Sequence, residues 1–161
     1  MAMLQGKERA EYVQNMFDRI AGRYNLMNRL MTGWQDVRWR RFVIQQARLT
    51  RGDKLLDLAT GTGDIAFEGL RQVPGILSVG GDFSVGMMLV GQREPLGDEV
   101  EWTGADALNL PFADESFNAV TSGYLMRNVI DIPRALAEQR RVLQPGGRIV
   151  VLDTTPPPDN L

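Results

Sequence analysis

The run Asp57-Leu58-Ala59-Thr60-Gly61-Thr62-Gly63-Asp64 holds the first residues of this chain whose types and spacing suggest chemistry. A short apolar stretch ends at Ala59 and a helical pattern starts at Asp64, so Gly61-Thr62-Gly63 is expected to turn a strand into a helix. Glycine allows a tight turn and lets a ligand approach the backbone. In open parallel sheets such loops lie at the carboxyl edge, where ligands bind. A Gly-x-Gly turn can also serve geometry alone, so the neighbours decide. Gly61, Gly63 and Ala66 formally fit the dinucleotide fingerprint, with Asp82 at roughly the right distance for a ribose. Asp57 and Asp64 point elsewhere. They bracket the loop, and carboxylates at a helix N-terminus repel a pyrophosphate seated there. A phosphate-free cofactor with a cationic amino-acid end, S-adenosylmethionine, fits this charge pattern better; a nicotinamide dinucleotide is the competing reading. Asp82, at the end of the next apolar segment, can accept two hydrogen bonds from a ribose diol. Asp106, after the third, can accept from the exocyclic amine of adenine, with the Ala107 N–H beside it.

These residues need strands to carry them to one edge. The pattern predicts strands over 54–59, 76–82, 100–103, 117–124 and 148–153, with helices over 64–73, 84–92 and 131–143 between them. Ser84 and Asp131 are expected N-caps, as is Asp64, and Pro133 suits a first helical turn. Pro145-Gly146-Gly147 reads as a turn. Strand and helix in alternation imply an α/β fold: a Rossmann-like, doubly wound parallel sheet with helices on both faces. Residues 1–50 read as an N-terminal helical extension capping the site, 51–155 as the core, and 156–161 as a proline-rich tail. Within the extension, Trp39, Phe42, Val43 and Ala47 are expected to form one apolar stripe, flanked by Arg38, Arg40, Arg41 and Arg48. That face is expected either to pack on the core with a solvated basic edge or to meet lipid headgroups or a lipophilic substrate.

Composition removes several classes. The chain has 161 residues, no cysteine and no histidine, so disulfides, thiolate metal sites, Cys nucleophiles and His-containing triads are excluded, and no metal site is expected. Net charge is −2, without the basic excess of a nucleic-acid binder. No apolar run spans a bilayer, and the first residues lack a signal peptide's apolar core, so a cytoplasmic protein is expected.

Against this background the chain resembles the menaquinone and ubiquinone C-methyltransferases. The likeness runs from about Val13 to Thr155 and is densest over Met16-Phe17-Asp18-Arg19-Ile20-Ala21 and over Tyr24 to Trp39. The glycine loop, Leu108-Pro111-Phe112, Arg127-Asn128-Val129 and the Arg141 to Arg148 turn also fit. The resemblance implies methyl transfer from S-adenosylmethionine to a ring carbon of a prenylated quinol. It adds Thr62 as a cofactor contact, so the expected cofactor set is Asp57, Gly61, Thr62, Gly63, Asp82, Phe83, Asp106 and Ala107. It implies catalytic roles for Arg127, as oxyanion stabiliser, Asn128, as its orienter, and Tyr24, lining the quinol pocket or relaying a proton. Five substitutions depart from the pattern: Asn25 stands where the family has Asp, Asp36 where it has His, and Gln144, Asp153 and Thr155 where it has Lys, Glu and Ser. Gly123 stands where a Ser is common. Asp36 is expected to be a helix-surface acid rather than a base. Family members continue past Asp153 with a helical segment and two strands. The expected sheet therefore lacks its final strand pair, and its fifth strand is an edge open to pairing in a homodimer. Peripheral membrane contact is a further expectation. A methyltransferase for another small molecule, or a cofactor-binding module without turnover, are the alternatives.

Overall fold

The structure, a computed structural model, describes residues 35–154. Tyr24 and most of the N-terminal signature, with the proline-rich tail, lie outside the described residues. The elements run α1 (Gln35–Ala47), β1 (Lys54–Leu58), α2 (Asp64–Gln72), β2 (Leu77–Asp82), α3 (Val85–Gly91), a 3-10 turn (Gly97–Glu99), β3 (Val100–Gly104), β4 (Phe117–Gly123), α4 (Ile132–Val142) and β5 (Leu143–Leu152). All four strand pairings are parallel, in the order β3-β2-β1-β4-β5. The chain winds outward in both directions from β1, so the topological switch point lies between β1 and β4. In this architecture the carboxyl edge there is where ligands bind.

Both faces of the sheet are covered, which explains why β1 is apolar along its length rather than alternating. Leu56, Leu58, Val79 and Val120 pack with Val142 of α4 on one face. On the other, Leu55, Ile76 and Ala119 pack with Ile65 of α2 and with Val43, Ile44 and Ala47 of α1. The boundary expected at residue 50 is therefore not a break in packing, since α1 shares a core with the strands. Ser84 and Asp131 cap α3 and α4 as expected, accepting from the Met87 and Arg134 amides.

Three local expectations are corrected. Gly63, with φ 86°, precedes α2 and gives it no side-chain cap; Asp64 is the first helical residue instead. On α1 the buried face is Asp36, Val43, Ile44 and Ala47, while Trp39 and Phe42 are exposed. At about 100° per residue Phe42 falls well off the line through Val43 and Ala47. Strand β5 starts before the glycines: Leu143 pairs with Phe117 and Arg148 with Ala119, and the residues between bulge out. Among the described residues β5 is an edge strand, and no helix is long and apolar enough to cross a membrane.

Candidate active site

The register of β1 and β4 sets Asp57 opposite Thr121, so both side chains share the α1–α2 face. Asp57 is 1% exposed. Thr60 Oγ1 donates to its Oδ2 at 2.7 Å and Thr121 Oγ1 to its Oδ1 at 2.9 Å. The backbone N–H of Ala66, in the first turn of α2, donates to it as well. Burial outweighs these bonds and, with the nearby charge of Asp82, pushes the Asp57 carboxyl up to about 7. Asp57 thus stands behind the glycine loop and holds it, rather than facing outward as a cofactor ligand.

Three of the loop's backbone amides bond to Thr60, Gly81 and Asp82. Thr60 N–H donates to Gly81 O at 3.2 Å and Gly63 N–H to Thr60 O at 2.8 Å. Gly61 N–H donates to Asp82 Oδ2 at 2.7 Å, and Ser84 N–H donates to Asp82 Oδ1 at the same distance. Thr62 is buried at 2% exposure, with its hydroxyl 3.5 Å from Asp64. Gly61 and Gly63 both have positive φ, and a Cβ on Gly63 would meet the Trp102 indole at 2.5 Å. Trp102 is anchored by its Nε1–H to Gly97 O and meets Phe67 edge-on, so it forms a fixed floor under the loop.

These bonds bear on the two cofactor readings. In a dinucleotide site the loop amides and helix N-terminus face a pyrophosphate. Here Asp82 takes the Gly61 amide and Asp57 takes an amide in the first turn of α2. Asp64 is not a bare charge at the loop, because the Arg40 guanidinium lies 3.0 Å from its Oδ1.

The solvent-facing rim consists of Gly61, Asp82, Phe83, Asp106 and Ala107, at the ends of β1, β2 and β3. Phe83 is 47% exposed beside Asp82. Asp106 is exposed, and its Oδ1 accepts from the Leu108 amide in a tight turn. Asp106 thus shapes this turn while standing on the rim. A carboxylate oxygen accepts more than one bond, so the Asp82 carboxylate on this rim fits a ribose diol and Phe83 an aromatic base.

Arg127 and Asn128 follow β4 at the same edge. The Arg127 guanidinium lies over the Tyr124 ring at 4.8 Å, and its Nη1 donates to Thr154 Oγ1 at 3.3 Å. Its backbone N–H donates to Asp153 Oδ2, and Asn128 Nδ2 donates to Tyr124 O at 3.0 Å. Tyr124 has φ 59°, which turns the chain sharply off the strand. Thr121, Tyr124, Asp153 and Arg40 were not singled out as site residues. Only strand register and side-chain contact reveal them, except that an aromatic three residues before Arg127 is a legible stacking signal. Asp36 is neither a surface acid nor available as a base: it is 3% exposed and accepts from Arg40 Nη2 at 2.6 Å.

A profile of the ubiE/COQ5 methyltransferase family matches residues 3–160. The chain belongs to that family. It is 54% identical over 149 residues to a ubiquinone/menaquinone biosynthesis C-methyltransferase UbiE of Desulfotalea psychrophila, covering 92% of this chain and 61% of that one. It is 48% identical over 145 residues to a demethylmenaquinone methyltransferase of Thermus thermophilus, covering 89% and 66%. The chain thus spans a little under two thirds of the length of these relatives. Among solved structures, the [4+2]-cyclase SpnF matches with a TM-score of 0.74 at 27% identity, covering 86% of this chain and 58% of that one. The putative methyltransferase bound to the Haloferax volcanii Trm112 activator matches with a TM-score of 0.70 at 28% identity, covering 84% and 58%. Membership in the ubiE/COQ5 family agrees with the fold and with a loop whose Gly61 amide is taken by Asp82.

Proposed function

We propose that this chain binds S-adenosylmethionine along the rim from Gly61 to Ala107 and serves methyl transfer to a ring carbon of a prenylated quinol. The observation that carries the cofactor reading is the occupation of the loop and helix amides by Asp82 and Asp57. When bound, the cofactor supplies an electrophilic methyl group on a positively charged sulfur. The protein's part is positioning and charge placement. Asp82 and Phe83 hold the nucleoside end. Arg127 stabilises the phenolate-like oxygen that makes the ring carbon nucleophilic, and Asn128 orients that oxygen. The Tyr124 ring keeps the guanidinium in place, and Asp153 ties the segment to β5.

The test is transfer of labelled methyl to a demethylated quinol. Asp82→Ala is expected to weaken S-adenosylhomocysteine binding at least tenfold, the loss of one or two charge-assisted hydrogen bonds. Unchanged affinity refutes the ribose assignment. One observation favours a second reading: the SpnF likeness shows that this fold also occurs in a cyclase, so cofactor binding without methyl turnover is the alternative outcome.

Two contacts belong to the same reading. Trp39 and Phe42 are exposed on a face of α1 that also carries Arg38, a pattern suited to an anionic membrane surface. Co-sedimentation with vesicles rich in phosphatidylglycerol, lost in a Trp39→Ser/Phe42→Ser double variant, would support this; no co-sedimentation refutes it. The β5 edge suits pairing between two copies, and a monomer at all concentrations in equilibrium sedimentation refutes that.

A further inference from the structure

Arg40 sits in the second turn of α1 with 14% of its side chain exposed. Its Nη2 donates to Asp36 Oδ2 at 2.6 Å, and its Nη1 lies 3.0 Å from Asp64 Oδ1. Asp36 is buried, and Asp64 is the first residue of α2, directly after Gly63. One guanidinium therefore joins an enclosed ion pair on α1 to the exit of the glycine loop. Exposed ion pairs are worth little, because water competes and both side chains must be ordered. Here Asp36 already fixes the Arg40 side chain, so the arm that reaches Asp64 is preorganised. At the loop exit Gly63 provides no capping side chain for α2.

We propose that Arg40 is a positioning residue that holds the exit of the cofactor loop, so that cofactor affinity depends on this one contact between α1 and Asp64. The inference rests on reading the loop as the seat of S-adenosylmethionine. The same two helices supply an internal control. Glu68 of α2, 11% exposed, lies 3.7 Å from Arg41 and 3.6 Å from Arg71, and Gln72 Nε2 donates to Arg41 O at 3.1 Å. These contacts join α1 to α2 without touching the loop.

The experiment is titration calorimetry with S-adenosylhomocysteine on the full chain, with thermal melts of each variant. Arg40→Met and Asp64→Asn are each expected to weaken binding about tenfold, and the double variant no further than either single one, because both remove one coupling. Arg40→Lys is expected to recover part of the loss. Glu68→Gln is expected to lower the melting temperature while leaving affinity within about twofold, a split that a merely structural role for Arg40 would not produce. Should Arg40→Met fail to fold, Asp64→Asn, which removes only the loop-side charge, carries the comparison against Glu68→Gln. Unchanged affinity in Arg40→Met or Asp64→Asn overturns the proposal. Tighter binding in Arg40→Met also overturns it, because Asp64 would then act as a counter-charge to the ligand's ammonium that Arg40 masks. Absence of binding by the unsubstituted chain is a separate result, which removes the cofactor reading and this inference with it.

Discussion

Replacing Asp57 by Asn is expected to make the protein more stable at neutral and basic pH and to remove most of its pH dependence there. The carboxyl is fully enclosed and pushed from an ordinary 3.8 up to about 7, with burial as the main cause. Between these values the folded state binds a proton that the unfolded state has released, so stability falls as pH rises from about 4 to about 7 and then levels off. Three units at 1.36 kcal/mol each give a total of about 4 kcal/mol. Over the practical interval from pH 5 to pH 8 the loss is roughly 2–3 kcal/mol. The interval is unusually clean, because the chain has no histidine to titrate within it. Asparagine keeps the shape and can still meet the Thr60 and Thr121 hydroxyls, which rotate to suit. Urea unfolding at several pH values between 5 and 8, followed by circular dichroism, measures the effect. The unsubstituted protein should lose roughly 2–3 kcal/mol across this range, and Asp57→Asn should stay nearly flat and exceed it at pH 8. A flat profile for the unsubstituted protein, or an equal slope in both, would refute the reasoning.

Gly63→Ala should destabilise by about 2 kcal/mol or more, because it adds a left-handed strain to an overpacked contact with Trp102; chemical denaturation checks this. Arg141 donates to Glu138, Asp114, Phe112 O and Leu110 O, binding α4 to the segment before β4. Its guanidinium holds the Glu138 carboxyl down at about 2. That contribution is complete above pH 4.5 and is lost as pH falls through 2, so Arg141→Met should lower the melting temperature at pH 7 and make the difference from the unsubstituted protein shrink in acid. Gln139 is fully buried on α4, and neither of its amide atoms has a partner among the described residues. Gln139→Met, close in volume, should stabilise by about 1–3 kcal/mol, the cost of an unsatisfied buried amide; a lower melting temperature would disprove this.

The elements of the fold were legible because each rests on short-range signals. Ser84 and Asp131 cap where a small polar residue precedes an apolar period, and β1 reads as doubly covered because Leu55, Leu56 and Leu58 leave no polar face. The rim residues Asp82 and Asp106 were legible for the same reason, as acids at strand ends. The inner workings of the loop were not. Thr121 lies 64 residues from Asp57, and only strand register brings them together. Arg40 reads as one of several basic residues on a helix edge until packing sets it between two carboxylates. Phe42 was misplaced because a run of apolar types obscures which of them lie within the buried arc.

The carboxylates that occupy the loop amides also bear on how easily this scaffold could change its cofactor in evolution. Asp57 and Asp82 both shape the loop, so losing either one leaves an amide without its acceptor before a phosphate could supply a new one. Any change of ligand that removed one of these carboxylates would therefore pass through a chain with a weakened loop.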